Sequence, residues 1–236
     1  MLLRRTVLAR LAALLLAALV LAGCSGSGGG AGQSASDLLA KAKKTLDATQ
    51  SLHFALSSSG APATGTALTG GDGDIARPSS FQGTLKVLAA GATVDLKVVS
   101  VAGKVYAQLP FTTTYSVVDP KAFGFGDPGA LLDPQTGISQ LLKAATGAKL
   151  GSEKRVGGEA VREVSAQLPG ALVQRILTSQ DPTKPVAATF AVATANGQLR
   201  RAVLTGPFFS ATQNATFTVE LSKFGAHVTI TPPPTG

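Results

Sequence analysis

This sequence has one cysteine, no tryptophan, two tyrosines, one methionine and two histidines in 236 residues. A lone thiol, Cys24, excludes an internal disulfide and a cysteine-clustered metal site, since it has no second sulfur to pair with. With His53 and His227 as the only histidines, both at polar positions of strand-like stretches, a Ser-His or metal-histidine centre has few candidate members. No Gly-x-Ser-x-Gly elbow is present, and no Gly-rich tract is followed by Gly-Lys-Ser/Thr. Asp72-Gly-Asp74 lacks the later ligands of a calcium loop and reads as a turn. These gaps argue against an enzyme and against a metal or other cofactor. The scarcity of aromatic side chains leaves no stacking platform for bases or sugars. Lysines are scattered, the densest group being Lys41, Lys43 and Lys44, so a net charge of +8 forms no nucleic-acid stripe.

Long apolar runs are also missing, with one exception near the start. Leu11–Ala22 (LAALLLAALVLA) follows Arg4, Arg5 and Arg10. It is shorter than the roughly 20 residues of a stable membrane helix, and it ends in small residues, so residues 1–23 read as a secretory signal. Leu21-Ala22-Gly23-Cys24 then fits a bacterial lipobox, in which the thiol receives a diacylglyceryl group and the new amino terminus an acyl chain. The lone cysteine is thereby explained as an attachment point. One acyl chain holds a protein at a membrane only marginally, whereas two or three hold it stably. Residues 24–36 contain SGSGGGAGQSAS and read as a flexible tether. The expected location is the outer face of the cell membrane, within the envelope.

Removing residues 1–23 takes three arginines from the 21 Lys+Arg and leaves 18 against 13 Asp+Glu, a net charge of +5 on 213 residues. That is enough chain for one domain, expected over residues 37–236 as a monomer. Leu38, Leu39, Ala42 and Leu46 form a helical stripe after a cap at Ser34 or Ser36, running to about Gln50. From Leu52 the period changes to two. Residues 60–80 are Gly-, Ser- and Thr-rich and read as a long loop or weak edge hairpin. Residues 81–88, 93–99 and 104–109 then alternate cleanly, and their short Gly-containing connections predict an antiparallel meander. Helical stripes return near Ile138–Ala145 and from Pro169 to Leu177. Strands follow on both sides of Asn196-Gly197, then at 214–222 and 226–231. The layout is α+β, with an antiparallel sheet curled over a few amphipathic helices. Val, Leu and Ala on the apolar faces can fill a core completely or line a cavity, and periodicity does not separate a carrier from a filled-core adaptor that binds a protein partner.

The ordered motifs do bear on that choice. LAGCSG at the start, S-x-H-F-x-L at Ser51–Leu56, GKVYAQL at Gly103–Leu109 and DPGALLDPQTGISQLL at Asp127–Leu142 are followed by AVREVSAQL at Ala160–Leu168, PVAATFAV at Pro185–Val192 and ELSKFGAHVTITPPP at Glu220–Pro234. In this order the chain resembles the actinobacterial lipoprotein family of LppX, LprA, LprF and LprG. The resemblance implies a single half-open antiparallel β-barrel, similar to the LolA and LolB carriers, with helices packed on the concave face around an apolar cavity for lipid acyl chains. It implies envelope lipids or lipoglycans as partners, of the triacylated glycolipid, triacylglycerol or phosphatidylinositol mannoside type, together with a lipid exporter. Carried over by position, the cavity residues are Phe54, Leu56, Leu85, Val87 and Val94, with Leu96, Val98, Val105, Ile138 and Leu142 completing the lining. Lys86 and Lys97 are candidates to meet a headgroup at the rim. Tyr115 and Phe224 stand where the family often has Trp, and the loop at 121–128 is unusually rich in Phe and Gly.

Overall fold

The computed structural model describes residues 33–236, so the expected signal segment, Cys24 and most of the expected tether lie outside the described residues. Helix α1 (Ala35–Ala48) starts at Ser34, whose Oγ accepts from the Asp37 N–H at 3.1 Å while the Asp37 carboxylate accepts from the Ser34 N–H at 3.3 Å. This reciprocal box satisfies donors that a helix start otherwise leaves open. Leu38, Leu39, Ala42 and Leu46 are its buried face, as the stripe predicts.

Beyond α1 the two-residue period takes over. Strands β1 (Ser51–Ser59), β2 (Ala67–Ala76), β3 (Ser80–Ala89), β4 (Ala92–Val101), β5 (Lys104–Gln108) and the short β6 (Ser116–Val117) come first. Two 3-10 turns, Pro120–Phe123 and Pro128–Leu132, lead into helix α2 (Ile138–Ala144). Strands β7 (Thr146–Val156) and β8 (Glu159–Leu168), the four-residue helix α3 (Gly170–Val173), and strands β9 (Val186–Ala193), β10 (Leu199–Gly206) and β11 (Ala215–Ser222) complete the order.

All eleven strands form one antiparallel sheet in the order β6-β5-β4-β3-β2-β1-β11-β10-β9-β8-β7. The first half of the chain meanders away from β1 and the second half meanders back to β11, and the β1–β11 pairing joins the halves. The sheet is open, since β6 and β7 are its two ends and do not pair with each other. Because β6 and β7 are consecutive in sequence but at opposite edges, the chain between them must cross the sheet. It crosses on the core-bearing face: the turn Pro128–Leu132 packs on β2, β3 and β4, and α2 packs against α1. Side chains follow the pleat, with Phe81, Leu85 and Val87 buried and Gln82 and Lys86 exposed on β3.

Four local expectations change. Residues 67–76 are a strand paired on both sides, within the stretch that composition marks as loop. The glycines there make room: a Cβ on Gly73 would strike the Phe81 ring, and one on Gly71 would lie 2.5 Å from the Thr84 carbonyl oxygen. Asp72 and Asp74 accordingly sit in a strand and not in a turn, and Asp74 Oδ1 is 2.8 Å from Nδ1 of His53 directly across on β1. Strand β7 gives no alternation because it is an edge strand exposed along most of its length. The helix expected through Leu177 stops at Val173, since the Leu177 backbone is drawn into a bridge with Phe125. No strand forms at 226–231: both edges of β11 are already taken by β1 and β10, and positive φ at Lys223 (48°) and Gly225 (73°) turns the chain off the sheet.

Candidate functional site

The register of the central strands fixes a single row of side chains. Phe190 pairs with Ala202, Ala202 with Val219, Val219 with Leu56, Leu56 with Gly71 and Gly71 with Leu85. Within this row only Gly71 lacks a side chain, and Leu85 leans over it, its Cδ2 lying 2.8 Å from where a Gly71 Cβ would be. Apart from Gly71, the row forms the floor of a cavity of about 270 Å³. Phe54, Leu68, Leu199, Leu204 and Leu221 extend that floor along the same strands.

Two segments roof it. One is the crossing strap, which contributes Phe125, Pro128, Leu131, Ile138 and Leu141. The other is the turn after α3, which contributes Arg175, Ile176 and Leu177. They meet at the antiparallel bridge between Phe125 and Leu177, beside which the Gly126 N–H donates to the Ile176 carbonyl at 3.4 Å. Glycine is required at 126, because a Cβ there would come within 2.6 Å of the Arg175 carbonyl oxygen.

The lining is apolar apart from a few groups near the roof. Asp127 Oδ1 accepts from Ser100 Oγ at 2.5 Å and from the Gly129 N–H at 2.8 Å, which pins the strap to β4 and caps the 3-10 turn. Thr136 donates its backbone N–H to Asp133. Arg175 is exposed, and it is the residue at which the lining meets solvent. Behind the strap, the Asp47 carboxylate of α1 pairs with Lys43 one turn earlier on the same helix. Burial raises its pKa, yet the hydrogen bond from Lys43 and the charges of Lys43 and Arg77 outweigh that and hold the carboxyl below its ordinary range. Among the described residues no three His, Cys, Asp or Glu side chains converge as a metal site.

Of the residues singled out in the sequence, Phe54, Leu56, Leu85 and Ile138 line the cavity. Val87, Leu96, Val98, Val105 and Leu142 are buried in the packed core around it, and Val94 is half-buried against that core. Lys86 and Lys97 do not reach the rim: they alternate with Leu85 and Leu96 and so project from the opposite face, where Lys86 pairs with Asp95 at 3.2 Å. Phe190, Ala202, Leu204 and Leu221 were missed as lining because the β1–β11 pairing that brings them beside Leu56 spans most of the chain. Cys24 lies outside the described residues.

Comparison with known proteins gives a consistent picture. The family model described as LppX_LprAFG lipoprotein matches residues 34–230. The lipoarabinomannan carrier protein LprG of Mycobacterium tuberculosis (strain H37Rv) is 30% identical over 232 residues, covering 96% of this chain and 95% of that protein. The crystal structure of LprF from Mycobacterium bovis superposes with a TM-score of 0.69 at 20% identity, covering 87% of this chain and 100% of LprF. That of LppX from Mycobacterium tuberculosis gives 0.62 at 17% identity, covering 84% and 98%.

Proposed function

The chain belongs to the LppX_LprAFG lipoprotein family, and from the cavity beneath its sheet we propose that it is an envelope-tethered carrier that holds the acyl chains of lipids or lipoglycans. The observation that carries this reading is the row Phe190, Ala202, Val219, Leu56 and Leu85, an apolar floor roofed by two separate segments. A hydrocarbon tail leaving a membrane meets water unless another apolar surface receives it. Ten methylenes kept from water are worth about 8 kcal/mol at ~0.8 kcal/mol each, so a cavity of this chemistry removes most of the barrier to transit. Such binding is non-covalent and needs no catalytic group, and the reading is of a carrier rather than an enzyme.

The carrier name of the LprG relatives supports a lipoglycan or related acylated cargo. The tether follows from the lipobox: acyl groups on Cys24 hold the domain at the outer face of the cell membrane, where it accepts cargo from a donor such as an exporter.

Organic extraction and native mass spectrometry of the purified mature protein test the reading. Wild type is expected to release acylated lipid, and Leu85→Trp or Val219→Trp, each placing an indole on the cavity floor, is expected to arrive empty with its melting transition retained. A wild-type protein that carries no lipid from its own envelope, or Trp variants loaded as fully as wild type, would remove the pocket from consideration.

A further inference from the structure

We propose that Arg175 is the headgroup-recognising residue of this cavity, selecting lipids whose headgroup presents an oxyanion, phosphate or carboxylate, at the mouth. The inference rests on the carrier reading above and adds a selectivity to it. Three observations carry it. Arg175 is one of the lining residues and is exposed, so it sits where the cavity lining meets solvent, the boundary at which tails would end and headgroup begin. Among the described residues, no carboxylate lies within 4.0 Å of it and its side chain makes no hydrogen bond, although Arg162, Arg200 and Arg201 each have an acidic partner. The competing anion at the lining, Asp127, is engaged by Ser100 and Gly129.

The local backbone explains how an exposed arginine keeps its place. Its N–H donates to the Leu172 carbonyl at 3.2 Å, and its carbonyl oxygen is packed against Gly126 at the joint between the two roof segments. The side chain therefore projects from a fixed turn. A planar guanidinium offers paired donors whose spacing matches two oxygens of a phosphate or carboxylate, which a point-charge ammonium does less well. Lys86 and Lys97, on the far face of the sheet, cannot serve.

Competition for loading tests this with two matched pairs of probes: dioleoyl phosphatidylglycerol against dioleoylglycerol, and oleate against oleyl alcohol. Within each pair the tails are the same and the headgroup charge differs. For wild type, Arg175→Lys and Arg175→Gln, the quantity read is the anionic-to-neutral loading ratio. Wild type is expected to prefer the anionic member of at least one pair by about fivefold, Arg175→Gln to bring that ratio close to one, and Arg175→Lys to restore part of it. The pair whose ratio falls identifies phosphate or carboxylate as the oxyanion. An unchanged ratio in Arg175→Gln for both pairs overturns the assignment while leaving the carrier reading intact. Failure of wild type to load any of the four probes overturns the carrier reading itself.

Discussion

Phe125 and Leu177 pair across a single antiparallel bridge, and with the neighbouring Gly126–Ile176 hydrogen bond of 3.4 Å they join the two roof segments of the cavity. These segments come from different parts of the chain, one between β6 and β7 and the other after β8. A cavity of about 270 Å³ is slightly below the range of about 300–1,000 Å³ usual for ligand sites, so a large acylated cargo requires the roof to part, and this joint is where it can. Antiparallel partners sit with Cα atoms about 5 Å apart, within reach of a disulfide. In a Cys24→Ser background, Phe125→Cys with Leu177→Cys should load and release lipid about tenfold more slowly when oxidised than when reduced. Equal exchange rates in the two redox states, measured on the same preparation with a fluorescent acyl probe, would show that cargo takes another route.

Gly73 marks where β2 passes beneath an aromatic ring, because a Cβ at this position would strike the ring of Phe81. Gly73→Ala should cost about 2 kcal/mol of stability, through displaced core packing. Phe81→Leu removes the ring and is expected to be destabilising alone, yet the double variant should cost less than the sum of the singles. Strict additivity in chemical denaturation would mean the ring is not what excludes a side chain there. Recovery should be partial, as the Gln82 carbonyl oxygen is also 2.6 Å from the same point.

That strand also shows where sequence reading stops. Alternation exposed β3, β4 and β5 because each buries one face, and the candidate caps Ser34 and Ser36 placed the start of α1 to within two residues. Strand β2 was illegible for the reason it exists: its glycines vacate space that Phe81 and Leu85 fill from β3, so the apolar signal belongs to the neighbour. The cavity is split in the same way. Phe54, Leu56 and Leu85 could be picked out from their own strands, whereas Phe190, Ala202 and Leu221 become lining only through the pairing of β1 with β11, a register that no local pattern encodes. Val87, Leu96 and Val98 have the same period and burial yet end in packed core, because the strap covers β2, β3 and β4 directly. Whether an apolar face meets a void or a neighbour is decided by what crosses above it.

Asp47 gives a pH dependence with a definite sign. Its carboxyl is held below the ordinary range despite burial, by Lys43 and Arg77. The unfolded chain therefore binds a proton more readily than the folded one, and the stabilisation is present above the unfolded carboxyl pKa of about 4 and is lost as pH falls through the lower folded value. Asp47→Asn should lower stability at pH 7 and flatten its decline between about pH 5 and pH 3. Parallel stability profiles for variant and wild type across that interval would show that the Asp47 charge does not stabilise the fold.

Ser100 is fully buried on β4, and its hydroxyl reaches 2.5 Å to the carboxylate that begins the strap's second 3-10 turn. A hydrogen bond from a buried hydroxyl to a charged acceptor contributes about 1.5–3 kcal/mol, and Ser100→Ala leaves Asp127 with the Gly129 N–H as its remaining partner. The expected loss is about 1.5 kcal/mol, concentrated in the strap rather than in the sheet. Hydrogen exchange should therefore quicken at residues 125–132 with little change in β1, β10 or β11. Because the strap is half of the cavity roof, the same variant should also release an acyl probe faster. A global loss of protection, with no excess at the strap, would instead assign Ser100 to the stability of the sheet as a whole.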